Sequence, residues 1–250
     1  MSLTCAHYLS SEDFIDLEAL FLGLPIPSLL RSLSSTNLTQ HGALGDWQFT
    51  NAHYAGYTRR VSHDQLAVLL ADFARRANFV GVQTQYSRIP VAHRSDRPDA
   101  RGDIFFPSGL SPLAPNQPFV LDVRLSHLFT RTGNFRPSLL STISNDKNRY
   151  YKEAYSTRNI KFAPLPVNTF LGVGQEVCHL LYRFALLMGT PTYASSTASS
   201  LGSQDDSESI SVVHSVTFSR LLREFQYGVA LATLMRLRGR DGFVSASSTS

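Results

Sequence analysis

Asp103 and Asp122 lie in two short runs, Arg101-Gly102-Asp103-Ile104-Phe105-Phe106-Pro107 and Pro118-Phe119-Val120-Leu121-Asp122-Val123-Arg124-Leu125. The residues between them are rich in Pro, Gly, Ser and Asn, so the runs read as two strands joined by a turn. Side chains alternate along a strand, which sets Phe119, Leu121, Val123 and Leu125 on one face and Val120, Asp122 and Arg124 on the other. A carboxylate and a guanidinium therefore share one face of an otherwise apolar strand, and a second carboxylate stands on its neighbour. Two carboxylates on adjacent strands with a cation beside one of them is the layout a divalent metal needs for phosphodiester hydrolysis. The bland alternative is that Asp103 caps a turn while Asp122 forms a half-buried ion pair with Arg124 or Lys147.

The elements that must position these residues can be read on both sides of the pair. Ser62 and Gln65 form a capping box that opens a helix, with Leu66, Leu69, Leu70, Phe73 and Ala77 at helical spacing. Arg75 and Arg76 close it, where cations complement the dipole. Val80–Ile89 reads as a strand ended by Pro90. A second helix is expected over about 137 to 157, its face made of Leu139, Ile143, Lys147, Tyr150 and Ala154. Lys147 thus falls on an apolar stripe, where a lysine usually snorkels from a core edge unless it faces a carboxylate such as Asp122. Ile160–Val167 is extended and confined by Pro164 and Pro166 to a sheet edge or bulge. A helix with Val177, Leu180, Leu181, Phe184 and Leu187 follows Gly172 and Gly174.

Four regions result. Residues 1–60 are an irregular lead-in with one short helical face (Phe14, Leu17, Leu20, Phe21), 61–189 a core and 190–209 a Ser/Thr-rich disordered linker. Residues 210–250 hold a final helix, about 211 to 237, and a tail. The order helix, three strands, helix, strand, helix predicts an α/β fold with a mixed sheet flanked by helices and an added C-terminal helix.

Charge is uneven although the net is only +4. The first 30 residues carry Glu12, Asp13, Asp16 and Glu18 and no Lys or Arg, whereas Arg124 to Lys161 holds eight basic residues against Asp146 and Glu153. That basic stretch suits a polyanion, or is simply a solvated helix surface. Cys5 and Cys178 offer neither a disulfide framework nor metal-ligand spacing, which favours a reducing compartment. Acids within the N-terminal apolar stretch argue against a signal peptide, and no apolar run reaches spanning length. The expectation is a soluble, intracellular protein without a membrane partner. Among His63, His93 and His127 and the other histidines no pair has helical ligand spacing, which argues against a histidine metal site. His63, read as lying at a helix start, is more naturally a phosphate contact or a cap.

The element order, with Arg101-Gly102-Asp103-Ile104 and Leu121-Asp122-Val123, resembles the restriction-endonuclease-like superfamily with its Asp…(Asp/Glu)-x-Lys signature. It resembles more closely the domain that follows the reverse transcriptase in some eukaryotic retroelement proteins. The residues carrying this likeness are His63-Asp64-Gln65-Leu66, Arg101-Gly102-Asp103, Leu121-Asp122-Val123, Lys147 to Tyr151, and Phe162-Ala163-Pro164-Leu165-Pro166-Val167-Asn168-Thr169-Phe170. The resemblance implies a restriction-endonuclease-like core with Mg²⁺ or Mn²⁺ held by Asp103 and Asp122. Lys147, or Arg124 as a poorer substitute, would stabilise the pentavalent phosphate. Gln83 or Gln85 stands where a Glu is common, so Gln85 joins the catalytic set as a lost carboxylate. His63, Arg101, Arg149 and Lys152 are the expected nucleic-acid contacts. Arg124 replaces the signature lysine and, being always protonated, cannot accept a proton.

Relatives of this kind often carry a zinc knuckle ahead of the core. Here Gly45-Asp46-Trp47 and Asn51 supply no thiolates, so no zinc is expected. The implied partners are DNA, with RNA as an alternative, and the reverse-transcriptase region of the same element, which points to the nucleus. Three functions follow: an endonuclease that nicks target DNA for insertion, a catalytically inactive nucleic-acid-binding remnant of the same fold, and an interaction domain that docks through its last helix.

Overall fold

The computed structural model describes residues 11–21, 52–92, 99–110, 117–128, 134–189 and 205–238. Helix α1 (Ser11–Phe21) and helix α2 (Ala52–Arg76) precede a three-residue 3-10 turn, Tyr86–Arg88. Strands β1 (Ile104–Phe106) and β2 (Phe119–Ser126), helix α3 (Leu139–Ser156), strand β3 (Lys161–Asn168), helix α4 (Gln175–Gly189) and helix α5 (Asp205–Arg238) complete the order.

The three strands form one mixed sheet in the order β1-β2-β3. β1 and β2 pair antiparallel with Ile104 opposite Leu121, and the Asp103 amide donates to the Leu121 carbonyl at 2.7 Å, carrying the ladder back to Asp103. β2 and β3 run parallel with Asp122 opposite Pro164 and Arg124 opposite Pro166, α3 making the crossover that a parallel pair requires. The prolines sit on an edge strand, as expected. Pro166 turns its carbonyl away from β2 to accept from Gly174, so its missing N–H costs no ladder bond.

Alternation along β2 divides the interior in two. Leu121, Val123 and Leu125 join Leu66, Leu70 and Phe73 of α2, Val177, Leu181 and Phe184 of α4, and Leu221, Phe225 and Val229 of α5. Val120 faces the other way, among Tyr151 and Tyr155 of α3, Phe162 of β3, Ile89, Ala92 and Ala100. Helices thus cover both faces of a small sheet, and the structure is α/β in class.

Both helices that lead into the sheet region stop by the same device. Asn78 (φ 64°) and Asn159 (φ 56°) take the left-handed conformation, and the amides of Phe79 and Ile160 reach back to the carbonyls of Ala74 and Tyr155. This is the Schellman arrangement, with asparagine in the position glycine usually fills. Phe79 then packs edge-on against Phe106 and Phe184, and Ile160 is buried beside Phe162.

Several expectations need correction. Val80–Ile89 is not a strand. Only Gln83 bridges to Phe105, because Gly81 (φ 74°) turns the chain before it and the 3-10 turn takes it away after. Ser62 opens nothing: the helix starts at Ala52, and Ser62 is fully buried in its middle. The lead-in is accordingly helical from 52 to 60, while the region around Trp47 and Asn51, like Cys5 and His93, lies outside the described residues. Phe14 is exposed and Asp16 is buried alongside Leu17, so the face expected on α1 is rotated. The final helix begins at Asp205, inside the segment expected to be linker, whose remainder, 190–204, lies outside the described residues. Among the described residues no helix is long and apolar enough to cross a membrane.

Gly102 is where the fold is tightest. A Cβ there would press on the Val120 side chain and stand 2.8 Å from the Leu121 carbonyl oxygen, so only glycine lets the chain run this close to β2. Gly102→Ala is expected to cost about 1–3 kcal/mol, the usual penalty of an overpacked core. Equilibrium urea unfolding would read this as a lower midpoint at unchanged slope; an unchanged midpoint would mean the two segments are not held this closely.

Candidate active site

Asp122 sits in the central strand with 4% of its surface exposed. Taking a carboxylate out of water is costly, and the compensation comes from across the layer: Lys147 Nζ of α3 lies 2.7 Å from Asp122 Oδ2. At that distance the ammonium favours the carboxylate both by charge and by hydrogen bonding. Lys147 also stands 5.3 Å from the Tyr151 ring centre, so the ammonium is held between a carboxylate and an aromatic face.

Asp103 is placed by the strand ladder, and its Oδ2 accepts from the Val123 amide at 2.6 Å. The same oxygen meets His63 Nε2 at 3.1 Å, while His63 Nδ1 faces Asp64 Oδ1 at 3.0 Å. Burial opposes charging of this imidazole, but the carboxylates of Asp103 and then Asp64 outweigh it and raise the pKa to about 9. His63 is therefore an imidazolium at neutral pH. For Asp122, burial first and the neighbouring Asp103 charge second push the carboxyl up to about 6, against the pull of Lys147 and His63. At neutral pH the site holds two carboxylates close enough to repel and two cations that offset them.

Asp103, Asp122 and Lys147 converge, as the sequence reading required of a working site, and His63 joins them. It does so from the interior of α2 through a carboxylate, as neither a cap nor a helix-start phosphate contact. The remaining candidates do not converge. Arg124 shares the Asp122 face but is exposed at the rim. Gln85 would fall opposite Asp103 if the Gln83–Phe105 register continued, yet the chain enters the 3-10 turn there and Gln85 is exposed. Arg101 is turned inward: its guanidinium donates to the Ile89 carbonyl and lies 5.1 Å from the Tyr86 ring centre. These contacts engage part of the guanidinium in holding the 3-10 turn. Arg149 (side chain 85% exposed) pairs with Asp146, and Lys152 is exposed, both on the outer side of α3.

The face of α3 is also rotated from expectation. Tyr151 and Tyr155 are its buried aromatics, while Tyr150 and Ala154 only flank them. Tyr155 was missed because nothing in the sequence marks its hydroxyl, which accepts from the Gly102 amide and donates to the Pro90 carbonyl, each at 3.0 Å. The i, i+4, i+8 spacing Lys147, Tyr151, Tyr155 was the available signal.

Could this set hold a metal? Among the described residues no three His, Cys, Asp or Glu have metal-binding geometry, and the pair to consider there is Asp103 with Asp122. That suits Mg²⁺, which takes one or two carboxylates and completes its shell with water and phosphate oxygens. The mutual repulsion of Asp103 and Asp122 also favours a cation between them.

His63 generates a stability prediction with a definite sign. Its pKa is raised on folding, so its contribution is fully present below pH 6.5 and is lost as pH rises through about 9. Thermal unfolding should show a falling midpoint between pH 6.5 and pH 9.5, and His63→Gln should flatten that segment of the curve. A curve of the same slope in both proteins would mean that His63 is not charged by Asp103 and Asp64.

Compared with models of known protein families, with curated proteins and with solved structures, the chain matches none of them.

Proposed function

We propose that residues 61–189 form a divalent-metal-dependent endonuclease domain of restriction-endonuclease-like type, nicking DNA as part of a retroelement protein. One observation carries the reading: Lys147 of α3 closes to 2.7 Å on the buried Asp122 of β2, and Asp103, one residue before β1, lies near enough for its charge to raise the Asp122 carboxyl. An antiparallel pair followed by a helical crossover to a parallel strand supports it.

Asp103 and Asp122 are the residues to hold Mg²⁺ or Mn²⁺, which when bound supplies an acidified water and charge for the leaving oxygen. Lys147, already aimed at this position, offsets the negative charge that grows on the phosphate in the transition state. Arg124, exposed at the rim, and Arg149 and Lys152 on the outer face of α3 bind the backbone phosphates, which gives affinity without sequence choice. His63 carries a proton at neutral pH and so acts as a second cation rather than a base.

A second reading, a nucleic-acid-binding domain without cleavage, is favoured by the fact that each carboxylate already has a protein cation against it. The absence of a third carboxylate at Gln83 and Gln85 points the same way.

Nicking of supercoiled plasmid with Mg²⁺ or Mn²⁺ separates the two readings. Asp122→Ala is expected to abolish nicking while DNA affinity stays within a few-fold, because metal ligation and phosphate contact are separate tasks. Lys147→Ala should slow cleavage by roughly one to three orders of magnitude. No cleavage by the wild type with either metal, alongside intact salt-sensitive binding, would leave the binding domain as the function.

A further inference from the structure

Lys147, Tyr151 and Tyr155 follow one another at four-residue intervals on α3, so they form a single stripe facing the sheet. Each touches a different part of the acid-bearing framework. Lys147 meets Asp122 on β2, the Tyr151 hydroxyl donates to the Arg101 carbonyl at 3.4 Å, and the Tyr155 hydroxyl accepts from the Gly102 amide at 3.0 Å. Gly102 immediately precedes Asp103, whose own amide is tied to the Leu121 carbonyl.

We infer that Tyr155 is a positioning residue of the metal site: its hydroxyl pins the backbone one residue before Asp103 to the helix that carries Lys147. The inference rests on the metal-dependent reading above and says how that site keeps its spacing. Tyr155 is fully buried and stacked on Phe162 at 5.7 Å, so its ring has no freedom to follow a shifting strand. Its second bond, donated to the Pro90 carbonyl at 3.0 Å, fixes the direction of the hydroxyl proton and leaves a lone pair aimed at Gly102. Burial pushes the phenol up to about 12, so it keeps that proton across the working range. On the other side, a Cβ on Gly102 would press on Val120 and stand 2.8 Å from the Leu121 carbonyl oxygen, so this backbone lies close against β2. Without the Tyr155 hydroxyl this backbone keeps its bonds to β2 but loses its tie to α3, and with it the fixed spacing of Asp103 from the helix that carries Lys147.

The test uses the full chain with Tyr155→Phe, which removes the hydroxyl alone. Mn²⁺ affinity is read by electron paramagnetic resonance and DNA cleavage by single-turnover nicking. Mn²⁺ binding should weaken about five- to fiftyfold and the cleavage step slow about ten- to hundredfold, a loss in line with a 1 Å misplacement of catalytic groups. DNA affinity measured with Ca²⁺ should stay within about twofold. In an Asp103→Ala background the same change should alter Mn²⁺ affinity less than about twofold, since Tyr155 acts through Asp103. Tyr182→Phe, exposed on α4, should match the wild type.

Wild-type Mn²⁺ binding and nicking in Tyr155→Phe would overturn the inference alone. So would an equal loss in the Asp103→Ala background, which would make the hydroxyl a general support of the fold. A wild type that neither binds Mn²⁺ nor nicks would overturn the metal-site reading and this inference with it. If Tyr155→Phe does not fold, Tyr151→Phe decides through the weaker Arg101 bond: about two- to fivefold weaker Mn²⁺ binding supports the positioning stripe, and unchanged binding overturns it.

Discussion

A carboxylate removed from water in the middle of a central strand must bring a counter-charge with it, and Asp122 obtains its own from Lys147 on the crossover helix. Much of the arrangement follows from that constraint. α3 has to lie over the β2 face that carries Val120 and Asp122, and its tyrosines then fill the layer around Phe162. β1 has to come close enough for Asp103 to borrow the Val123 amide, which in turn requires glycine at 102. Removing one partner of such a pair leaves a buried charge uncompensated, at a cost of about 3–5 kcal/mol.

The same constraint explains what the site can do. Low exposure and the Asp103 charge together hold the Asp122 carboxyl well above the ordinary aspartate range, a standing repulsion that a divalent cation would relieve. Two cations from the protein, Lys147 and the His63 imidazolium, hold the acids in place meanwhile. Perturbed carboxyls grouped with fixed cations are common both in active sites and in structural ion-pair networks. Chemistry on a substrate, not the shifts themselves, separates those cases.

Features with a short-range signal were legible in the sequence. The antiparallel pairing of the Asp103 and Asp122 strands, the face on which Asp122 lies, the span of α3 and the edge position of the proline-bearing strand all rest on period-2 or period-3.6 patterns and proline chemistry. What failed depended on partners far away in the chain. The stretch Val80 to Ile89 has strand composition, but Gly81 and the 3-10 turn leave it a single bridge. Ser62 and Gln65 matched a cap motif by type and spacing while lying inside a longer helix. His63 could be read only locally because its decisive partner, Asp103, comes from another element. The tyrosine hydroxyls on α3 were silent for the same reason: their partners are backbone groups, which leave no mark in side-chain types.

The β1–β2 register sets Asp103 opposite Asp122, and in the proposed function this pair is a cation site whose counter-charge is Lys147. Anomalous diffraction from crystals of the chain soaked in Mn²⁺ would test it most directly. The expected result is one strong anomalous peak between the two carboxylates, with the Lys147 ammonium drawn back from Asp122 to make room. Crystals with no peak there, and with Lys147 still closed on Asp122 at high Mn²⁺ concentration, would contradict it and leave the pair as a structural buried salt bridge.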